Sequence, residues 1–236
     1  MAPVFATTQK NASIGSRRSA GSLGSARSVG SIGKDSPSRS HFLSHSVTEL
    51  DDQPKLIWFK RHDCLDSHGR GLWRIYRGYV RTLTWSPKGE SVPLGFWSKG
   101  NIVGKAIAQA NPYKAECLTA VAAEYLGDRY LCSQADVLLQ VKQSNDLLRI
   151  SHCRQAESRL LQFVCWLAHR FGRPTDEGRA LQIKLTHQEL ADSIGITRVT
   201  VTRLLKVLEA EGKIKWAIRE KLVFKATMEQ FAGAFG

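Results

Sequence analysis

Residues 186–208 read THQELADSIGITRVTVTRLLKVL, and the spacing within them decides the architecture of the C-terminal part of the chain. Thr186 followed three places later by Glu189 is a capping box, in which the threonine hydroxyl accepts from the Glu189 amide while the carboxylate reaches back to the Thr186 amide. A helix therefore starts here, with Leu190, Ala191 and Ile194 on its inner face. Gly195 then permits the left-handed backbone of a sharp turn. Thr197 caps a second helix in which Val201, Leu204, Leu205 and Leu208 face inward, leaving Arg198, Val199, Thr200, Thr202 and Arg203 outward. Two short helices about a glycine turn form a helix-turn-helix, whose second helix offers its N-terminal part to the major groove of DNA.

The outward residues suit that groove. Arg198 and Arg203 carry planar forks that pair bidentately with guanine O6 and N7, while Val199 and the threonine methyls match the thymine methyl. The hydroxyls of Thr186, Thr197, Thr200 and Thr202, with the amides that open each helix, suit phosphate oxygens. No acid stands between Ile194 and Lys206, whereas an ordinary solvated helix face mixes both signs. Beyond Gly212, Ile214, Trp216 and Ile218 alternate with Lys213, Lys215, Ala217 and Arg219; Glu220-Lys221 makes a turn, and Leu222 and Phe224 return. This is the pattern of a two-stranded wing, with Lys213, Lys215, Arg219 and Lys221 placed to neutralise backbone phosphate without reading sequence.

Working towards the N-terminus, residues 134–147 and then 150–171 carry helical periodicity. In the second run Leu160, Leu161, Val164, Leu167 and Phe171 form one apolar stripe, broadened by Phe163 and Trp166. Gly172, followed by Pro174, is expected to end that helix as its C′ residue. His152, Cys153 and Cys165 are too far apart along one helix to converge on a metal. From about 54 to 131 the pattern is strands and tight turns. Gly71–Tyr79, Val80–Trp85 and Ser91–Trp97 are rich in aromatic and β-branched residues and are broken at Gly78, Pro87-Lys88-Gly89 and Lys99-Gly100-Asn101. A small antiparallel β domain is expected, its aromatics (Trp58, Phe59, Trp73, Tyr76, Tyr79, Trp85, Phe96, Trp97) packing as a core.

Residues 1 to about 46 are of low complexity, with serine at every third position from Ser13 to Ser31. That period matches neither helix nor strand, and the apolar surface is too small to offset the entropy of ordering. The stretch reads as a flexible arm, either inert or adding loose phosphate affinity and accepting phosphorylation. Its Arg- and Ser-rich, acid-poor composition also meets the rule for an organellar transit peptide, while Arg17-Arg18 lacks the apolar run of twin-arginine export.

Composition bounds the rest. The 236 residues carry 34 Lys+Arg against 21 Asp+Glu, a net charge of +13 that divides as +4, +6 and +3 over residues 1–50, 51–180 and 181–236. A basic excess in every segment favours a polyanionic partner. No apolar run approaches the roughly 18 residues of a membrane span. Five cysteines without a C-x-x-C pair support neither a disulfide framework nor a zinc or iron–sulfur ligand set, and fit a reducing cytoplasm. No nucleophile has a base at interpretable spacing and no glycine-rich loop opens a helix after a strand, so neither an enzyme nor a cofactor is expected. The lone histidines (His41, His45, His62, His68, His152, His169, His187) read as surface or helix-capping residues.

The order of elements, a glycine-punctuated β domain, a long helix and a winged helix-turn-helix, resembles the cyclic-AMP receptor and fumarate–nitrate regulator (Crp/Fnr) family of bacterial transcription factors over about 55–230. Within it, Thr197-Arg198-Val199-Thr200-Val201-Thr202-Arg203-Leu204-Leu205, preceded by Leu185-Thr186-His187-Gln188, is similar to the recognition unit of the cyanobacterial nitrogen-control regulators. The resemblance implies an α+β fold with an arm at 1–50, a β-roll at 51–132, a helical linker at 133–172 and a winged helix-turn-helix at 173–236. It implies that Arg198, Val199 and Arg203 read bases in a palindrome of the form GTA-N8-TAC, and that the protein is a homodimeric activator that recruits RNA polymerase.

Other positions depart from the family pattern. The Gly-Glu and Arg-Ser pairs that hold cyclic AMP are replaced by Gly104-Lys105 and Tyr113-Lys114-Ala115, and Glu116 stands near the arginine that takes 2-oxoglutarate in the nitrogen regulators. Neither effector is expected. Residues 134–160 fall about twenty residues short of the family's helix pair, at about 1.5 Å of rise each, leaving Leu147, Ile150, Arg154, Glu157 and Leu161 as the expected dimer seam. The alternative is a ligand-sensing or interaction module with a vestigial helix-turn-helix.

Overall fold

The computed structural model describes residues 53–65, 71–217 and 221–225, all within the unit Asp51–Gly236. The serine-rich arm, His41, His45, His68 and Arg219 lie outside the described residues. Alternating apolar residues between turns give seven strands: β1 (Leu56–Phe59), β2 (Leu72–Arg77), β3 (Val80–Trp85), β4 (Ser91–Trp97), β5 (Ile102–Val103), β6 (Lys114–Cys117) and β7 (Val121–Gly127), with the one-turn helix α1 (Lys105–Ala108) after β5. They form two antiparallel sheets, of order β1-β7-β2-β5 and β4-β3-β6. Gly78, at φ +90°, makes the β2–β3 turn, and a side chain there would overlap the Ala120 carbonyl oxygen. Trp73, Ile75, Val80, Trp97, Val103, Cys117 and Val121 share one core. Trp97 donates through Nε1 to Thr82 Oγ1 at 3.0 Å, so its indole is buried without an orphaned donor. The aromatic-core expectation holds for Trp73, Trp97 and Phe59 only: Trp58 on edge strand β1 is 63% exposed, Tyr76 and Trp85 are half-buried outside this core, and Phe96 and Tyr79 pack instead into the core formed by the helices.

The helical region divides differently from the periodicity. Helix α2 spans Gln134–Ser151, opened by a capping box between Ser133 and Asp136, and α3 spans Ala156–Phe171. The stripe of α3 is buried as expected, Leu161 only partly. Phe96 of β4 packs edge-on against Phe163 and Trp166, with ring centroids at 5.6 and 5.8 Å. The Phe96 amide donates to the buried Gln143 Oε1 at 2.8 Å, and Trp166 Nε1 donates to Asp146 Oδ2 at 3.0 Å. At about 1.5–3 kcal/mol per fully buried large side chain, this junction holds the β domain to the helices. Leu147 and Ile150, read as part of a dimer seam, are instead inside this core. The exposed large apolar residues of α2 are Val137, Leu138, Val141 and Leu148.

Gly172 ends α3, but in extended backbone (φ −88°, ψ 142°) and not as a left-handed C′ residue. Its requirement is space, since a Cβ would overlap the Ala168 carbonyl oxygen. It opens a hairpin that periodicity did not reveal, β8 (Gly172–Thr175) and β9 (Gly178–Leu181). After α4 (His187–Ile194) and α5 (Arg198–Ala210) come the wing strands β10 (Ile214–Ala217) and β11 (Lys221–Phe224), and the hairpin and wing join as one antiparallel sheet, β10-β11-β9-β8. The expected two-stranded wing is thus half of a four-stranded sheet, against which α3 packs through β8, β9 and β11 while α5 meets it through β10.

Candidate nucleic-acid interface

Both caps form from the residues expected. Thr186 Oγ1 accepts from the Glu189 amide at 3.1 Å, while the Thr186 amide donates to Glu189 Oε2 at 2.6 Å. Gly195 ends α4 at φ 66°, in the left-handed region. Thr197 caps α5 by accepting from the Thr200 amide at 3.2 Å. Val201, Leu204, Leu205 and Leu208 are buried, which fixes the rotation of α5 and turns the opposite face to solvent. On that face Val199 is 79% exposed, and Arg198 and Arg203 are exposed without an ion pair or a side-chain hydrogen bond among the described residues. Arg198, Val199, Thr202, Arg203 and Lys206 line a shallow groove of about 480 Å³. Lys206, absent from the residues expected at this face, extends the row at helical spacing from Val199, Thr202 and Arg203, a spacing legible in the sequence.

The two helices are tied together by His187, a side chain whose sequence context alone places it among the surface or helix-capping histidines. His187 Nδ1 lies 2.8 Å from Thr202 Oγ1, and the Thr202 hydroxyl donates to the Arg198 carbonyl oxygen at 3.0 Å. A hydroxyl has one hydrogen to give, so His187 donates from Nδ1. The His187 ring also lies 6.3 Å from that of Trp216 on β10. With Lys184, Leu185 and Thr186 these two side chains line a second hollow, of about 320 Å³, between helix and wing.

The wing lysines sit among acids. Lys215 Nζ is 2.6 Å from Glu177 Oε1 on the β8–β9 turn, and this hydrogen bond and charge hold the Glu177 carboxyl below its ordinary value. Lys213 Nζ lies 2.6 Å from Glu211 and 3.5 Å from Glu157. A phosphate must compete with these exposed partners, each worth little in water. Lys221 opens β11 opposite Ala217.

In the β domain and α3 several titratable groups are paired or buried. Glu116 is nearly buried against Arg81, whose Nη2 is 2.7 Å from Oε2, with Lys114 at 3.4 Å. Lys105 donates to Asn111 Oδ1 at 3.1 Å. Burial pushes the Cys165 thiol up to about 11, and burial with the neighbouring acid Asp63 pushes Cys117 up to about 12, so neither supplies a thiolate nucleophile at neutral pH. Among the described residues no group of three or more His, Cys, Asp or Glu converges as a metal-ligand set, and no helix is long and apolar enough to cross a membrane.

Residues 158–228 match the Crp-like helix-turn-helix domain. Over 164 residues, 68% of this chain and 80% of the relative, the sequence is 34% identical to the regulatory protein CysR of Synechococcus elongatus. It is 41% identical to the global nitrogen regulator of the same organism over 94 residues, 38% of this chain and 41% of that one. In three dimensions the chain is similar to a transcriptional regulator of the CRP family from Thermus thermophilus, with a TM-score of 0.61 at 20% identity over 76% of this chain and 97% of that one. A CRP/FNR family regulator from the same organism gives 0.60 at 21% identity, over 77% and 100%. At that identity the structural likeness concerns the fold.

Proposed function

The chain belongs to the Crp/Fnr family of DNA-binding transcription regulators, and from that premise we propose that it is a cytoplasmic homodimer that reads a palindrome of the form GTA-N8-TAC and works by recruiting RNA polymerase. The observation that carries the sequence-specific part is the exposed pair Arg198 and Arg203, unpaired among the described residues, beside Val199 on a helix whose opposite face is buried. The planar guanidinium fork loses less entropy per hydrogen bond on pairing with guanine than an ammonium would, and Val199 adds contact with a thymine methyl. Thr186, Thr197 and Thr200 set the register on phosphate, whereas the Thr202 hydroxyl, expected there too, spends its one hydrogen on the Arg198 carbonyl; Lys213, Lys215, Arg219 and Lys221 add affinity common to all sequences. Three-base half-sites across eight base pairs have centres about 11 base pairs apart, close to one helical turn, which suits two linked reading heads.

The second head comes from a copy of the chain. Leu138, Val141, Asn145 and Leu148 follow one another at intervals of three, four and three on the solvent side of α2, the spacing of a coiled-coil seam with one polar position that sets register. We assign residues 51–132 to a β-roll domain, 133–172 to the linker and dimerisation segment, 173–236 to the DNA-binding domain, and 1–50 to an arm outside them. Lys105 and Lys114 stand where cyclic-AMP binders of the family carry an acid and the arginine–serine pair, and Glu116 is committed to Arg81, so the β domain is assigned no cyclic-AMP or 2-oxoglutarate site. Sedimentation of the protein with and without a GTA-N8-TAC duplex tests the reading: a dimer on the duplex is expected, and monomer alone in both samples removes the geometric basis for palindrome recognition.

A further inference from the structure

We propose that Arg61, in the β domain, is a positioning residue for DNA binding, through which that domain fixes the end of α4 that faces the duplex. Arg61 Nη2 donates to both carboxylate oxygens of Glu189, at 2.9 Å to Oε2 and 3.1 Å to Oε1, across 128 residues of sequence. Glu189 is the third residue of α4, and its side chain is only 5% exposed. The same Oε2 accepts the Thr186 amide at 2.6 Å. A glutamine caps a helix at this position as well as a glutamate. The charge is therefore surplus to the cap, and a carboxylate this deeply buried requires a cation. Arg61 supplies it.

The arginine is presented by a turn built to hold it. The Lys60 amide donates to Asp63 Oδ2 at 2.6 Å, the Asp63 amide donates to the Lys60 carbonyl at 3.2 Å, and His62 sits at φ +71°, a conformation uncommon outside glycine. Backbone bonds from His62 to the Cys117 carbonyl (2.8 Å) and from Cys117 to the Asp63 carbonyl (2.9 Å) stitch the turn to β6. Arg61 Nε, on the same edge of the guanidinium as Nη2, donates to His62 Nε2 at 3.2 Å, a second bond that holds its plane. Strain of this kind persists only where the surroundings enforce it.

What the clamp holds is the junction of the two DNA-facing helices. Thr186 opens α4, and His187 beside it bonds Thr202 on α5. At the far end of α4, Arg159 of α3 donates to the Ile194 carbonyl at 2.9 Å. Helix α4 is thus gripped at both ends by arginines from outside the helix-turn-helix, and the grip at its start comes from the β domain. Without Arg61 the Glu189 carboxylate must seek water, releasing the Thr186 amide and loosening His187 and Thr202 behind it.

The proposal rests on DNA binding by the family fold and not on the identity of the operator. The test measures fluorescence anisotropy on the GTA-N8-TAC duplex and on an unrelated duplex of equal length, for wild type, R61A, R61K, E189Q and the R61A/E189Q double variant. R61A is expected to weaken binding about tenfold on both duplexes, the range for residues that couple through a network. Its salt slope is expected to stay that of wild type, because Arg61 touches no phosphate. R61K keeps the charge and restores most of the affinity, and in the E189Q background R61A costs nothing further, since no buried charge remains to be answered.

Wild-type affinity for R61A, a salt slope flattened by about one unit, or independent losses for R61A and E189Q each overturn the proposal. If R61A alone folds poorly, E189Q against the double variant decides: equal affinities support the clamp, and a further tenfold loss refutes it. A wrong operator shows separately, as equal wild-type affinity for the two duplexes.

Discussion

Arg203→Ala isolates base reading from folding. The Arg203 side chain is exposed and makes no ion pair or side-chain hydrogen bond among the described residues, so its removal is expected to change folding stability by no more than about 0.5 kcal/mol. On DNA a bidentate arginine–guanine pair is worth about 1–3 kcal/mol. A dimer makes the contact twice, so the loss on the full palindrome is about 2–6 kcal/mol, or about 30-fold to about 10⁴-fold in Kd. On an unrelated duplex the change is the loss of one phosphate neighbour per head, a flatter salt slope with little change in rank among sequences. Fluorescence anisotropy on the GTA-N8-TAC duplex, on duplexes with the guanine replaced, and on an unrelated duplex reads the two binding changes, and thermal melting reads the stability. Arg203→Ala should bind the operator and its guanine-replaced variant alike. If the ratio of operator to unrelated affinity is unchanged while the melting temperature is also unchanged, Arg203 does not read a base and the assigned face of α5 is wrong.

Three other expectations follow from separate parts of the molecule. Val141→Glu places a charge on the exposed stripe of α2 and is expected to yield folded monomer in sedimentation; an intact dimer would move the seam elsewhere. Burial alone would raise the Glu116 carboxyl, but the charge and hydrogen bonds of Arg81, with Lys114, outweigh it and hold the group below its ordinary 4.5. A carboxylate depressed on folding contributes stability above its unfolded value and loses it as pH falls through the folded one, so the melting gap between wild type and Glu116→Gln should narrow below about pH 4.5; a gap constant down to about pH 3 contradicts this. Thr197→Ala removes the hydroxyl that caps α5 through the Thr200 amide and should cost about 1 kcal/mol in urea unfolding, with no cost if the cap is satisfied by water.

Much of this protein is written locally. The capping box Thr186–Glu189, the left-handed turn at Gly195, the cap at Thr197 and the buried face Val201, Leu204, Leu205 and Leu208 involve partners within four residues or one helical repeat. Steric and hydrogen-bonding rules act at that range, so the helix-turn-helix and its outward arginines were legible from spacing alone. The same holds for β3 and β4, whose turns are marked by glycine and whose bounds the alternation located. Other features depend on which residues the folded chain brings together. Whether Leu147 or Leu148 faces solvent is set by the packing of Phe96 on Phe163 and Trp166, and periodicity on α2 alone assigned the wrong side. Gly172 is needed for its missing Cβ beside Ala168, and the β8–β9 hairpin exists because β11 supplies its partner strand. The Arg61–Glu189 clamp spans 128 residues, and the charge surplus on a capping glutamate acquires meaning only once an arginine is found beside it. Short-range geometry is determined by neighbours along the chain, whereas the pairing of buried charges and the choice of exposed face are decided by burial, which exists only in the folded state.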